Sequence, residues 1–408
     1  MSNINVHLRK NCRVCGSSDL IRWVHLPKMP LTDQLLSPNT SNEEFLFDID
    51  IYICSICHAS QILHDIDYNE YYIDYNYSVA GSAKATDFMH KLSQAVFEKF
   101  QLNEGSIVVE IGSGDGAQLS CFKELGAKVF GYEPSAPLCR VSKAMGVPVY
   151  QGLFTEQSIE SIPQEYRPAD VLLLTYTFDH IPEPMSFLKA AKQIVNPKTG
   201  LLIMEVHDLD KIIERHEYCL FEHEHSIYLS LETMQNVLFR AGFLILTHEI
   251  LPEVDRRGNS LMIAAVPCDS IYAANAMPFK GNTDHDLSRY QLFNEELKNA
   301  ISRLDNLVEN YYLQGKKIAG YGAGGRGVMT LAAMNSASKF EYICDQNPSF
   351  HGKLTPKTHI PIVSPLELVS NPVDVLLVFS FGYIKEIREK VSTFPNAPRE
   401  IISLLEVI

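Results

Sequence analysis

The chain has 408 residues, 46% of them hydrophobic, and a formal net charge of −14. That length exceeds one ordinary core and predicts two or three domains, while the hydrophobic fraction excludes a disordered chain. The acidic balance argues against a nucleic-acid binder, which needs a basic surface, but leaves room for a small anion held by local donors. No apolar run reaches membrane-spanning length and the first residues lack a secretion-type apolar segment, so the expectation is a cytoplasmic protein with no membrane contact.

Residues 1–66 are turn-rich and hold two C-x-x-C pairs, Cys12 with Cys15 and Cys54 with Cys57. Four thiolates in this pattern suit tetrahedral Zn²⁺. The gap between the pairs is long, so the intervening chain must fold back. Such a site is closed, which predicts a scaffold role and not a catalytic one. The other five cysteines are scattered and read as small core residues. Residues 68–77 are rich in tyrosine; packing is the first reading of the run, with Tyr75 and Tyr77 able to close over a ligand.

A helix is expected from Lys84 to Phe100. Ser106–Ile111 is a short apolar run of the kind that forms a buried parallel strand. It enters a glycine loop, Gly112-Ser-Gly-Asp-Gly116, that precedes the next helix. Further strands are expected at 128–133, 147–150, 170–174 and 201–205, with helices between them. Alternating strands and helices predict an open, doubly wound α/β sheet. Apolar residues at 297, 301, 304, 308 and 311 predict a long amphipathic helix joining two domains. A second α/β set follows, with strands at 317–321, 340–344 and 375–379.

The first glycine loop has G-x-G-x-G spacing, not the dinucleotide G-x-G-x-x-G. Glu110 precedes its first glycine, and Glu133 ends the next strand. Two carboxylates so placed suit a ligand with an amine and ribose hydroxyls, which favours S-adenosylmethionine over NAD. Gly112, Gly114 and Gly116 allow close backbone approach, and Glu133 would accept from the ribose hydroxyls. The second loop, Gly322-Ala-Gly-Gly-Arg-Gly327, also runs from strand to helix, and Arg326 could pair with phosphate. Asn347, in the segment Asp345–Pro348, follows the next strand, where ribose contacts are common. His180 and His207 each follow a predicted strand at its ligand-binding end.

Between these loops stand Glu222, His223, Glu224 and His225 in a row. A histidine titrates near pH ~6.5, so a modest shift makes it a base at neutral pH. Potential bases beside a nucleotide-type cofactor suggest proton abstraction coupled to group transfer. The plain alternative is a set of buried, hydrogen-bonded histidines.

The order of these motifs resembles the S-adenosylmethionine-dependent sugar C-methyltransferases of deoxysugar biosynthesis. The resemblance is carried by the double C-x-x-C segment, a Y-x-Y-x-S-like stretch, EIGSGDG, GYEPS, H-E-H-S-x-Y-x-S, GYGAGGRG and DQNPSFHGKLTPKTHIPI. It covers essentially the whole chain. It implies three parts: a zinc-binding domain at 1–66, a Rossmann-like methyltransferase domain at 67–285, and a linker helix with a Rossmann-like nucleotide-sugar-binding domain at 286–408. It further implies methylation at C3 of a nucleotide-linked 4-keto-6-deoxyhexose, through an enolate raised by a base. The chain itself is expected to be a monomer or small homo-oligomer.

Carried over residue by residue, the resemblance makes His225 the base, with Glu224 beside it. His180 and Tyr77 would touch the ketone or enolate oxygen. Gly112, Gly114, Glu133 and Thr175 fall in the cofactor site, with Leu153 or Phe154 against the adenine. Tyr75, Ser82, His207, Arg326, Asn347 and Lys353 fall to the substrate, Arg326 and Lys353 as candidates for its pyrophosphate. Two departures stand out. Glu222 occupies the place of a family tyrosine and could take over its share of the base role, and Gly258-Asn259-Ser260 replaces G-G-S. Other readings of the residues are an O- or N-methyltransferase on a related nucleotide sugar, a non-catalytic zinc-ribbon interaction protein, and an NAD-dependent dehydrogenase.

Overall fold

The computed structural model describes residues 4–38, 44–67, 71–73, 83–279 and 287–408. Its core is a seven-stranded sheet in the order Phe243–Thr247, Leu261–Pro267, Leu201–Val206, Val171–Thr175, Ile107–Ile111, Lys128–Glu133, Val149–Gln151. Only Leu261–Pro267 runs antiparallel to its neighbours. The middle strands are almost wholly apolar because helices cover both faces, which leaves no alternation to read. The first strand, Ile107–Ile111, lies between the second and the fourth. Strand order therefore reverses beside the loop 112–116, and ligands of such sheets bind at that crevice. The expected strands appear within a residue or two of their places. Phe243–Thr247 and Leu261–Pro267 are additions to the expectation.

The C-terminal domain repeats the plan with five parallel strands, in the order Ile362–Val363, Phe340–Cys344, Ile318–Tyr321, Val375–Val378, Glu400–Ser403. The loop 322–327 again sits where the order reverses. The joining helix spans Ser288–Leu313 and buries Tyr290, Phe293, Leu297, Ala300, Leu304 and Val308. Its first turns meet Trp23 of the N-terminal module, at ring-centre distances of 4.8 Å for Tyr290 and 5.4 Å for Phe293. Trp23 also meets Phe221, at 5.7 Å. One apolar core thus runs through all three parts of the chain. No helix among the described residues is long and apolar enough to cross a membrane.

The N-terminal module is built on an antiparallel sheet of Leu20–Pro30, Leu46–Cys54 and Ser60–Ile62. Its fourth strand comes from the central domain: Ile227 pairs with Gln61, and Tyr228 with Ser60. The four cysteines lie at the end of this sheet. Cys12 and Cys57 sulfurs are 3.5 Å apart, as are those of Cys15 and Cys54, and all four fall within 4.8 Å of one another. Sulfurs around a tetrahedral zinc with ~2.3 Å bonds would lie about 3.8 Å apart, so the set fits the ion without rearrangement. Gln61 Nε2 and the Val14 amide point donors at Cys12 Sγ, as thiolate ligands require. Asn236 of the central domain donates to the Cys57 carbonyl, so the knuckle is also docked from outside.

His64 of this module meets His223 inside a cage with Phe45 and Phe47. The Met29 carbonyl accepts from His223 Nε2, 3.0 Å away, so that nitrogen carries the hydrogen. His223 Nδ1 must then accept from His64 Nε2, at 2.8 Å. Burial pushes both rings down to about 4. His223 is therefore a neutral structural residue that ties the central domain to the N-terminal sheet.

Two outcomes follow. The protein should carry one zinc per chain by elemental analysis, and Cys54→Ser should abolish it and lower the melting temperature by loosening the Ser60–Ile62 strand. Between about pH 6.5 and 4, the unfolded chain protonates His64 and His223 while the folded chain does not. Unfolding therefore takes up protons in that window, and the urea midpoint should fall as pH is lowered from 7 to 5.

Candidate active site

A cavity of about 330 Å³ opens where the three parts meet. The N-terminal module contributes Thr32 and Asp33. The central domain contributes Tyr71, Tyr72, Tyr176, His180, His207, Glu222, Glu224, His225 and Arg257. The C-terminal domain contributes the loop around Arg326 together with Phe381. Among the four consecutive titratable residues, Glu222, Glu224 and His225 line this space and His223 does not.

Each imidazole is held by a different partner, and the partner fixes its state. The Leu220 carbonyl lies 2.9 Å from His225 Nδ1, so Nδ1 carries the hydrogen and Nε2 keeps the free lone pair. That Nε2 is 4.0 Å from a carboxylate oxygen of Glu222. Burial works to lower His225, but the carboxylates of Glu222 and Asp179 outweigh it and raise its pKa. Burial pushes Glu222 up to about 8, with His225 opposing and Glu224 adding to the shift.

His207 Nδ1 is 2.8 Å from Asp179 Oδ2, and its ring stacks on Tyr176 at 4.5 Å. Burial keeps His207 neutral, down to about 4. Burial disfavours the Asp179 carboxylate, yet the His207 hydrogen bond and the surrounding histidines hold it below the usual range. His180 bonds the Tyr72 hydroxyl at 2.8 Å and is also pushed down to about 4 by burial. Its ring lies 4.7 Å from that of His225, and the ring of His207 lies 4.9 Å from it.

Glu224 is 2% exposed. Its Oε1 accepts from the Tyr71 hydroxyl at 2.5 Å and from Thr32 Oγ1 at 3.1 Å, whereas Oε2 has no partner among the described residues. Tyr71 also donates to Asp33 Oδ2, 2.9 Å away. Arg326 lies over the Phe381 ring at 5.0 Å. A Cβ at Gly325 would sit 2.6 Å from Glu222 Oε1, so a side chain there would displace that carboxylate.

The first glycine loop stands beside this cavity. Gly112, Gly114 and Gly116 all have positive φ, and among the described residues nothing comes within 4 Å of where a Cβ at Gly114 would sit. Glu133 accepts from the Gly114 amide at 2.9 Å and the Ser135 amide at 2.7 Å, which anchors the loop and orients the carboxylate. Glu110 is 1% exposed; Thr175 Oγ1 donates to its Oε1 at 3.3 Å, while Oε2 has no partner among the described residues. Leu153 is exposed beside the loop, whereas Phe154 is spent on the core, edge-on to Tyr132 and Phe187. An orphaned buried carboxylate, an open glycine and a second oriented carboxylate fit S-adenosylmethionine: Glu110 for its amine, Glu133 for its ribose, Leu153 for its adenine.

Three expected residues, Tyr75, Tyr77 and Ser82, lie outside the described residues. Asn347 and Lys353 do not line the cavity; Asn347 accepts instead from the Ser349 amide and hydroxyl. Asn259, the departure from G-G-S, is a brace. It bonds the Asp208 amide and the Glu217 carboxylate, and its carbonyl takes the Tyr176 hydroxyl. Sequence reasoning missed Thr32, Asp33, Tyr71, Tyr72, Tyr176, Asp179 and Arg257. Tyr71 and Tyr72 stood in a flagged tyrosine run and Asp179 beside a flagged histidine. Thr32 and Asp33 carried no signal.

Three family models match in succession: a zinc binding domain at 12–72, a methyltransferase domain at 81–248, and a C-methyltransferase C-terminal domain at 280–405. The curated protein C-methyltransferase NovU of Streptomyces niveus is 27% identical over 404 residues, spanning 97% of this chain and 95% of its own. Solved structures that match include a S-adenosylmethionine-dependent methyltransferase of Thermotoga maritima, 24% identical over 44% of this chain and 90% of its own, with TM-score 0.32. Another is magnesium protoporphyrin IX methyltransferase of Synechocystis, 12% identical over 47% of this chain and 86% of its own, with TM-score 0.34. The three family models in this order, and a relative aligned along nearly the whole length, make the chain similar throughout to S-adenosylmethionine-dependent C-methyltransferases with a zinc-binding N-terminal domain.

Proposed function

We propose that the enzyme methylates C3 of a nucleotide-linked 4-keto-6-deoxyhexose by way of an enolate. The observation that carries this reading is His225: its Nδ1 hydrogen is committed to a backbone carbonyl, and its free Nε2 faces Glu222 in a cavity shared by all three domains. The 4-ketone acidifies the neighbouring C3–H. His225, with Glu222 able to share the proton, takes that hydrogen, and the electron pair of the C–H bond becomes the enolate. S-adenosylmethionine supplies an electrophilic methyl group whose bonding electrons depart with sulfur.

The remaining residues hold charge in place. Tyr72 and His180 form a hydrogen-bonded pair at the cavity wall, suited to the ketone or enolate oxygen. Glu224, braced by Tyr71 and Thr32, keeps one oxygen for a sugar hydroxyl. Arg326 serves the pyrophosphate, and the glycine-rich turn lets that group approach the helix end at Gly325. Burial of these groups between the three domains limits their contact with water, which strengthens each of these interactions and protects the enolate. The cavity volume lies within the usual range for small-molecule sites.

Mass spectrometry and NMR of thymidine- or guanosine-linked 4-keto-6-deoxyhexose with S-adenosylmethionine should give a methyl gain placed on C3. A methyl found on oxygen or nitrogen would replace this reading. His225→Ala should lower kcat by at least about a hundredfold, the scale of a general base, and leave S-adenosylhomocysteine affinity unchanged. Loss of that affinity would make His225 structural.

A further inference from the structure

Asp179 keeps one carboxylate oxygen that the chemistry above does not use. The residue is 3% exposed. Its Oδ2 accepts from His207 Nδ1, and its Oδ1 has no partner among the described residues. A buried carboxylate held by a neutral imidazole is poorly compensated and favours the arrival of a cation. The fold brings two further donors to it. Val171–Thr175 and Leu201–Val206 are neighbouring parallel strands, and Asp179 and His207 follow their ends. His225 arrives from the segment before Ile227–Tyr228. One donor atom from each of the three residues falls within 4.8 Å of the other two. His225 has Nε2 to give, since its Nδ1 hydrogen is committed to the Leu220 carbonyl.

We propose that Asp179, His207 and His225 form a second metal site, separate from the four cysteines, that takes a divalent transition ion such as Co²⁺ or Zn²⁺ reversibly and silences the base while the ion is bound. The silencing rests on the reading of His225 as base; the site itself does not. Two imidazoles and one carboxylate are a donor set for borderline divalent ions, whereas Mg²⁺ prefers oxygen alone. Donors around an ion with ~2.1 Å bonds lie about 3.0–3.4 Å apart, so the set closes by shifts of about 1–2 Å, the scale of a side-chain rotation. Two donors already have the protonation state a metal needs: burial keeps His207 neutral, and Asp179 is held ionised. The surrounding charge is mixed. A Glu222 oxygen lies 4.0 Å from His225 Nε2 and Glu224 lines the same cavity, while the guanidinium groups of Arg257 and Arg326 oppose an ion. His207 and His225 line the cavity, so an ion has a way in and keeps positions open to water, unlike the closed cysteine set. An ion on His225 Nε2 occupies the lone pair that would otherwise take the C3 hydrogen.

The test is titration of the full chain with Co²⁺ after its cysteine site has been filled with zinc. The wild type should take up one Co²⁺ with visible d–d absorption and no near-ultraviolet thiolate-to-cobalt band, since no sulfur enters the set. Asp179→Asn and His207→Gln should each weaken that uptake by at least about a hundredfold, the upper end of what even the outer partners of a metal ligand contribute. Zinc should stay at one per chain in both variants. If Asp179→Asn fails to fold, His207→Gln carries the same reading. Excess Mg²⁺ should not displace the Co²⁺. In the wild type, bound Co²⁺ should stop solvent deuterium from entering C3 of the nucleotide-linked 4-keto sugar, and EDTA should restore the exchange. No uptake beyond the cysteines, uptake with a thiolate band, or uptake undiminished in the variants would overturn the site. Uptake as expected with C3 exchange undiminished would uphold the site, overturn the silencing and remove His225 as the base.

Discussion

Two backbone pairings, Ile227 with Gln61 and Tyr228 with Ser60, set the geometry on which the rest of the molecule depends. They make a strand of the central domain the edge of the N-terminal sheet. The residues just before that strand are Glu222 to His225, so they are carried into the junction between domains. His223, locked to Met29 and His64, fixes the segment from one side. The Leu220 carbonyl fixes His225 from the other. The four cysteines end the sheet that receives the strand. A zinc ion held by those cysteines would bear on the cavity through the sheet that positions His225.

Burial at the junction then separates otherwise similar groups. Four histidines, at 180, 207, 223 and 225, lie within one small region. Three are driven neutral, while His225 is raised because Glu222 and Asp179 face it. Environments that push pKa values apart assign acid and base roles without a change of residue type. Glu222 extends the logic. Burial raises its carboxyl to about 8 beside His225, at the position where the resemblance places a tyrosine. Thr175 and Tyr176 join the glycine-loop strand to the histidine cluster, one turned to Glu110 and the other stacked with His207 and Arg257.

Much of this was legible in the sequence, for physical reasons. Buried parallel strands are apolar throughout, so Ile107–Ile111 and Leu201–Val206 announce themselves, and the glycine loop between strand and helix follows from backbone need. Paired C-x-x-C knuckles read directly as metal ligands. What stayed hidden depends on contacts far apart in sequence. Thr32 reaches Glu224 across 192 positions, and no local pattern marks it. The tyrosine run was flagged as packing, yet Tyr71 and Tyr72 bond Glu224 and His180 through their hydroxyls. His223 and His225 are indistinguishable in the sequence. Only their partners, Met29 and His64 against Leu220 and Glu222, make one structural and leave the other with a free lone pair.

The central claim is that this junction removes a proton from sugar carbon before any methyl group moves. The most direct measurement is deuterium exchange, followed by NMR, on a nucleotide-linked 4-keto-6-deoxyhexose in D₂O with the enzyme and no S-adenosylmethionine. The account predicts that solvent deuterium enters C3 with the wild-type protein and does not with His225→Ala. Methyl transfer to carbon without any such exchange in the wild type, or exchange undiminished in His225→Ala, would contradict it.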